Sequence, residues 1–138
     1  MRPFKILSHT SEIGIEVRGR DLSAIFQNAA AGLLAVFDKR GKVKTRTTVS
    51  IRMRSSSAEA LLVHWLSELV FLVQTRHWLF GKIEFPRLQE TSLSATLQGE
   101  SMRRGVHRIG REIKAVTFHQ LRIVRDKDAL KATVLFDV

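Results

Sequence analysis

Glu12-Ile-Gly-Ile-Glu-Val-Arg18 alternates apolar and polar positions, and Asp21 follows it at the head of a helical pattern. Ile13, Ile15 and Val17 share one face and the charges take the other, which predicts a half-buried strand. Asp21 is placed to cap a helix. Leu22, Ile25, Phe26, Ala29, Leu33 and Phe37 then recur at helical spacing and form one apolar stripe. Lys39 and Arg40 suit the C-terminal end of that helix, and Gly41 can supply a left-handed stop.

The same strand-then-helix order returns downstream. A strand over about 46–54 carries Val49, Ile51 and Met53 inward, and Ser56-Ser-Ala-Glu59 fits a capping box that opens a second helix over about 57–75. That helix is apolar around most of its girth, with a thin polar stripe at His64, Ser67 and Glu68. A helix of that kind is expected to be buried on most sides, with His64 a satisfied core residue. Strands are expected over about 79–86, 91–100, 111–125 and 129–137, with alternation such as Leu93/Ala95/Leu97 and Leu130/Ala132/Val134/Phe136. Short connections such as Asp126-Lys-Asp128 favour antiparallel pairing. Two helices set between runs of strands predict an α+β fold, with largely antiparallel sheets packed around them. No linker, repeat or low-complexity tract interrupts residues 1–138, so a single domain is expected.

Composition narrows the function. The chain has 138 residues, 44% of them hydrophobic and 26% charged, as a globular domain requires. Lys and Arg number 23 against 13 Asp and Glu, a net charge of +10 that points to a polyanionic partner or a solvated basic surface. Cysteine is absent, which excludes disulfides and thiolate metal sites. Met1-Arg-Pro-Phe-Lys5 runs straight into a strand-like stretch, so no leader segment is expected. Apolar runs such as Leu69–Val73 fall far short of the roughly 20 residues of a membrane span. A cytoplasmic address with no membrane partner is the expectation.

Motifs of catalysis are missing. There is no Gly-x-Gly-x-x-Gly, Gly-x-Ser-x-Gly or His-Glu-x-x-His. Gly105 to Gly110 has P-loop glycine spacing, but the Lys-Ser/Thr that would reach phosphate and Mg²⁺ does not follow. His9, His64, His77, His107 and His119 are scattered, with no pair at zinc-ligand spacing on one helical face. No catalytic residue or small-molecule substrate is therefore expected.

Two features remain. Glu12 opens one strand, Asp137 closes the last, and the carboxylate of Val138 lies one residue on. If those strand ends meet they form an all-oxygen cluster, whose mutual repulsion a hard cation such as Ca²⁺ or Mg²⁺ would relieve; otherwise the carboxylates are simply solvated. The basic residues also group, as Lys39, Arg40, Lys42, Lys44, Arg46, Arg52 and Arg54, and as Arg103, Arg104, Arg108, Arg111 and Lys114. Few aromatics interleave with them. RNA phosphate contact, docking on an acidic protein face and plain solvation all fit.

Ser8-His-Thr-Ser-Glu-Ile-Gly14 resembles the archease signature Asp-His-Thr-Ala-Asp-Ile-Gly. Asn28-Ala-Ala-Ala-Gly32 and Glu59-Ala-Leu-Leu-Val-His-Trp-Leu-Ser-Glu-Leu69 are similar to the family's two helices. Gly99-Glu100, His107, Glu112-Ile-Lys-Ala-Val-Thr-Phe-His-Gln-Leu121 and Leu135-Phe-Asp-Val138 resemble its later motifs, in order along the whole chain. The resemblance implies an accessory protein of an RtcB-type RNA ligase in tRNA splicing, which promotes guanylylation of the ligase and its repeated turnover. It also implies a divalent-cation site, typically calcium, at Glu12, Asp137 and Val138. The alternative is a basic RNA-binding or chaperone-like module that keeps the fold without activating a ligase. Ser8 and Glu12 stand where the signature has Asp, and Met102-Arg-Arg104 where the family carries an acid, so weaker metal affinity is expected.

Overall fold

The computed structural model describes residues 2–8 and 11–138. Ten strands and two helices follow in order: β1 (Phe4–Ser8), β2 (Glu12–Gly19), α1 (Leu22–Val36), β3 (Lys39–Arg40), β4 (Thr47–Arg54), α2 (Ala58–Gln74), β5 (Trp78–Leu88), β6 (Ser92–Ser101), β7 (Arg108–Ile109), β8 (Ala115–Thr117), β9 (Val124–Asp126) and β10 (Ala129–Asp137). The larger sheet has the order β1-β2-β10-β8, with β9 also on β10; a smaller one has the order β4-β6-β5, and β3 pairs with β7. Every pairing is antiparallel, so the α+β class expected from the sequence is the one observed.

Alternation decides which side chains point inward. Ile13, Ile15 and Val17 of β2, and Ala132, Val134 and Phe136 of β10, are all buried. Helix α1 lies over β1 and β2 and buries Ile25, Phe26, Ala29, Ala30, Leu33 and Val36 against them and their neighbours. Asp21 caps it as expected, its carboxylate accepting from the Ala24 N–H at 2.8 Å. Helix α2 touches β4 and β5 of the smaller sheet and β8 of the larger, and so bridges the two. Trp65 sits at that junction, fully buried. Its indole N–H donates to the Phe26 carbonyl at 3.1 Å, fastening α2 to α1, and its ring lies 5.2 Å from that of Phe85.

Several local expectations are corrected. The first helix ends at Val36, and the left-handed residue beyond it is Asp38 (φ 53°), three residues before Gly41. Lys39 and Arg40, expected to favour the helix end, instead form β3. Gly41 (φ 93°) serves a different need, because a Cβ there would collide with the Val106 carbonyl. The second helix is capped by Ser57, which accepts from the Ala60 N–H at 3.1 Å, so there is no capping box from Ser56. Glu59 reaches across to accept the Ile123 N–H at 3.1 Å. Nor is α2 buried on most sides. Val63 and Val70 are half-buried, Phe71 is 42% exposed, and His64 is a surface residue whose ring meets the Ser55 hydroxyl at 3.3 Å.

The strand expected over 111–125 is two short strands at opposite ends of β10. Between them the chain turns at Gln120 (φ 55°) and drops Leu121 into the core. The local pattern could not reveal this break, because it depends on which ends of β10 the two segments meet.

Trp65→Ala would leave a cavity and remove the hydrogen bond that joins the two helices. A loss of about 3–5 kcal/mol is expected, read as a lower urea midpoint at unchanged slope. His64→Ala should stay within about 0.5 kcal/mol of wild type in the same measurement, because its side chain is on the surface.

Candidate functional site

The paired central strands β2 and β10 bring the two expected acidic positions together. Asp137 is the cross-strand partner of Glu12, as Phe136 is of Ile13. Directly opposed residues project to the same face of a sheet with Cβ atoms about 5 Å apart. Ile13 and Phe136 take the buried face, so Glu12 and Asp137 share the other, where Asp137 is exposed and Glu12 half-buried. Val138 follows directly. The Lys114 N–H donates to the Asp137 carbonyl at 2.8 Å and fixes this strand end from the other side.

Among the described residues, neither Glu12 nor Asp137 forms an ion pair, and no three Asp, Glu, His or Cys side chains gather there or elsewhere as a ligand cluster. Two carboxylates and an oxygen of Val138 make an oxygen-only donor set of the kind hard cations take, with coordination left for water or a partner's oxygens. His9 and Thr10 of the signature lie outside the described residues.

A second constellation went unseen in the sequence. Glu100 lies in β6 on the face opposite Leu93, Ala95 and Leu97, where period-two alternation expects solvent, yet it is only 2% exposed. The segments 42–46 and 103–107 close over it. The Lys44 N–H donates to Oε2 at 2.6 Å, and Arg46 Nε to Oε1 at 3.2 Å. Arg103 Nε stands 3.0 Å from Oε1 as an ion pair, without the alignment of a hydrogen bond.

His107 completes the knot. Its Nδ1 accepts the Arg103 N–H at 2.9 Å, so the proton sits on Nε2, which donates to the Lys42 carbonyl at 2.9 Å and lies 3.3 Å from Glu100 Oε2. With both ring nitrogens engaged and both carboxylate oxygens occupied, the pair has no free site for proton transfer to a substrate. Its work is structural. Neighbouring Gly99 is required because a Cβ would collide with the Leu79 carbonyl of the adjoining strand.

The knot also joins the two basic groups that the sequence kept apart. β3 pairs with β7, setting Arg40 opposite Arg108, and the Glu100 carboxylate lies between Arg46 and Arg103. Part of this charge is consumed internally. Arg40 pairs with Asp38 at 3.1 Å, Lys39 donates to the Gly41 carbonyl at 2.8 Å, and Arg111 donates to the Val36 carbonyl at 3.0 Å.

The full order of these elements can be compared with known proteins. The sequence model of the Archease protein family matches residues 4–138. The chain belongs to the archease family. A relative from Methanosarcina acetivorans named Protein archease is 33% identical over 141 residues, covering 99% of this chain and 97% of its own length. One of the same name from Methanothermobacter thermautotrophicus is 31% identical, with 100% of each chain covered. Among solved structures, protein 1598 of Methanobacterium thermoautotrophicum matches at a TM-score of 0.69 and 30% identity, covering 100% of both chains. An archease from Thermotoga maritima, 24% identical, shares the fold at a TM-score of 0.68, covering 100% of this chain and 98% of that one. No helix among the described residues is long and apolar enough to cross a membrane.

The Lys44 N–H is the main influence holding the Glu100 carboxyl below its ordinary value of 4.5, with Arg103 and His107 assisting and burial opposing them. A depressed carboxyl favours the folded state above its unfolded value and loses that advantage as pH falls through the lower folded value. Glu100→Gln should therefore destabilise the chain at neutral pH, and the difference from wild type should shrink as pH falls below 4.5. Urea midpoints across the acid range would show it. A gap that stays constant with pH would refute the linkage.

Proposed function

We propose that the chain is a non-catalytic activator of an RtcB-type RNA ligase in tRNA splicing or RNA repair, promoting guanylylation and multiple turnover of that enzyme. The observation that carries this reading is the register of β2 and β10, which sets Glu12 opposite Asp137 on an exposed strand end in a chain of the archease family. Glu12, Asp137 and Val138 would hold a divalent cation there, calcium by preference. A bound cation would supply positive charge that further oxygen ligands, including phosphate, can share.

The chain's own residues set the geometry. The ladder between β2 and β10 fixes the spacing of the two carboxylates, and the Lys114 N–H anchors the backbone of Asp137. Nothing in this arrangement needs to react covalently. An accessory protein acts by binding one state of its partner more tightly than another and shifting its population. A strand end whose two carboxylates enter no ion pair among the described residues suits such transient docking better than it suits substrate turnover.

Addition of the chain to an RtcB-type ligase from the same source should raise the number of ligations per enzyme molecule, with Glu12→Gln and Asp137→Asn losing most of the gain. Unchanged turnover with wild-type chain would sink the activator reading. The cation has a separate test. Calcium should raise the thermal midpoint of wild type, and Glu12→Ala or Asp137→Ala should abolish the rise. A calcium response equal in wild type and both variants would place the ion elsewhere.

A further inference from the structure

The outer face of the smaller sheet carries an arginine arrangement that neither the strand-end site nor the Glu100 knot uses. Arg52 of β4 pairs in register with Ser94 of β6, and Ser94 pairs on its other side with Arg87 of β5. Arg54 pairs with Ser92 in the next row of the same face. The three arginines surround a groove of about 910 Å³, also lined by Ser55, Gln89 and Thr91. No acidic residue lines it. Among the described residues, none of the three guanidinium groups is in an ion pair or donates a hydrogen bond, unlike Arg46 and Arg103 on Glu100 and Arg111 on Val36. The nearest negative charge on this sheet face along β5 is Glu84, which Lys82 neutralises at 3.1 Å.

Arg87 reaches this face through a defect in the strand. Glu84 pairs with Thr96 and Arg87 with Ser94, so Phe85 and Pro86 together oppose one residue of β6. In an unbroken strand Leu88 would share the face of Glu84 and Arg87 would point to the core. The bulge reverses that parity, sending Leu88 inward to Leu93 and Arg87 outward beside Arg52. Pro86 can occupy the bulge because β5 is an edge strand and no ladder partner needs its missing N–H.

We propose that this groove binds the sugar-phosphate backbone of a nucleic-acid strand, with Arg52, Arg54 and Arg87 on its phosphates. The rigidity of the sheet spaces the charges: Arg52 and Arg54 stand about 7 Å apart along β4, and Arg87 lies two strands from Arg52, about 10 Å across. Regularly spaced guanidinium forks suit the repeating phosphates of a strand better than the irregular carboxylates of an acidic protein. Ser92 and Ser94 are small enough to leave the cations access, and the Ser94 hydroxyl adds a phosphate donor. No aromatic side chain lines the groove, so binding follows the backbone and is indifferent to base sequence. The proposal is independent of ligase activation, because it concerns a different face and is read with no ligase present.

The test measures binding of matched single-stranded RNA and DNA oligonucleotides by the full chain across a salt series. Wild type should bind with strong salt dependence. The triple variant Arg52→Ser, Arg54→Ser, Arg87→Ser should lose on the order of tenfold or more at low salt and lower the log–log salt slope by roughly 2 to 3. Arg104→Ser with Arg108→Ser, which alters the other exposed basic segment, should have the smaller effect. All the altered side chains are exposed, and an unchanged thermal midpoint confirms that each variant folds. Loss that is equal across base sequences supports backbone contact, whether RNA and DNA bind alike or RNA binds tighter through its 2′-hydroxyls. The proposal is overturned if wild type binds neither strand, if the triple variant keeps wild-type affinity and slope, or if poly-glutamate displaces the oligonucleotide as well as unlabelled RNA does.

Discussion

The ladder between Glu12–Gly19 and Leu130–Asp137 joins the beginning of the chain to its end, and the other elements are arranged around it. Closing so long a loop costs conformational entropy before any contact offsets it. The compensation is visible in the same strands, where Ile15, Val17, Val134 and Phe136 are fully buried. Each such side chain contributes about 1.5–3 kcal/mol. β1 extends this pair on one side, β8 and β9 extend it on the other, and α1 covers β1 and β2. The opposition of Glu12 and Asp137 follows directly from the same register. A shift of one residue would turn every core side chain to solvent, so the apolar face that stabilises the sheet also fixes the acidic pair.

Irregular segments are held by a few buried polar contacts. Gln74 at the end of α2 makes a two-way amide clasp on Ile113, with bonds of 2.8 and 2.6 Å, and Trp65 bonds the Phe26 carbonyl. Glu100 and His107 tie down two loops that carry much of the positive charge. A buried carboxylate would be costly without partners, and here backbone and guanidinium groups supply them. The cations that serve this purpose are held in place and partly neutralised. Among the described residues Arg52, Arg54 and Arg87 enter no ion pair, so the net charge of +10 overstates some basic regions and understates another. Functional potential lies at opposite extremes of charge: a strand end bearing carboxylates, and a sheet face bearing arginines.

Much of the architecture was legible because periodicity and capping are local. The alternation of residues 12–18 and 129–137, the stripe of α1 and the Asp21 cap report physical requirements that neighbouring residues impose on one another. The acidic pair was legible too, since two carboxylates at strand ends raise the question of where the strands meet. Glu100 was not, because alternation places it on the solvent side and only distant loops make it buried. Arg87 was missed for a related reason: nothing local announces that Phe85 and Pro86 form a bulge that reverses which side chains face the core.

By itself, the sequence determined the two helices, the long strands, the α+β class and the family, because hydrophobic period and motif order are properties of a chain read residue by residue. Tertiary structure decided which elements touch. It placed β2 beside the last strand, β10, merged two basic segments over one buried carboxylate, and drew Arg87 alongside Arg52 across a serine. Each of these depends on register between residues far apart in the chain. Register is set by how the whole core packs, which no local pattern encodes.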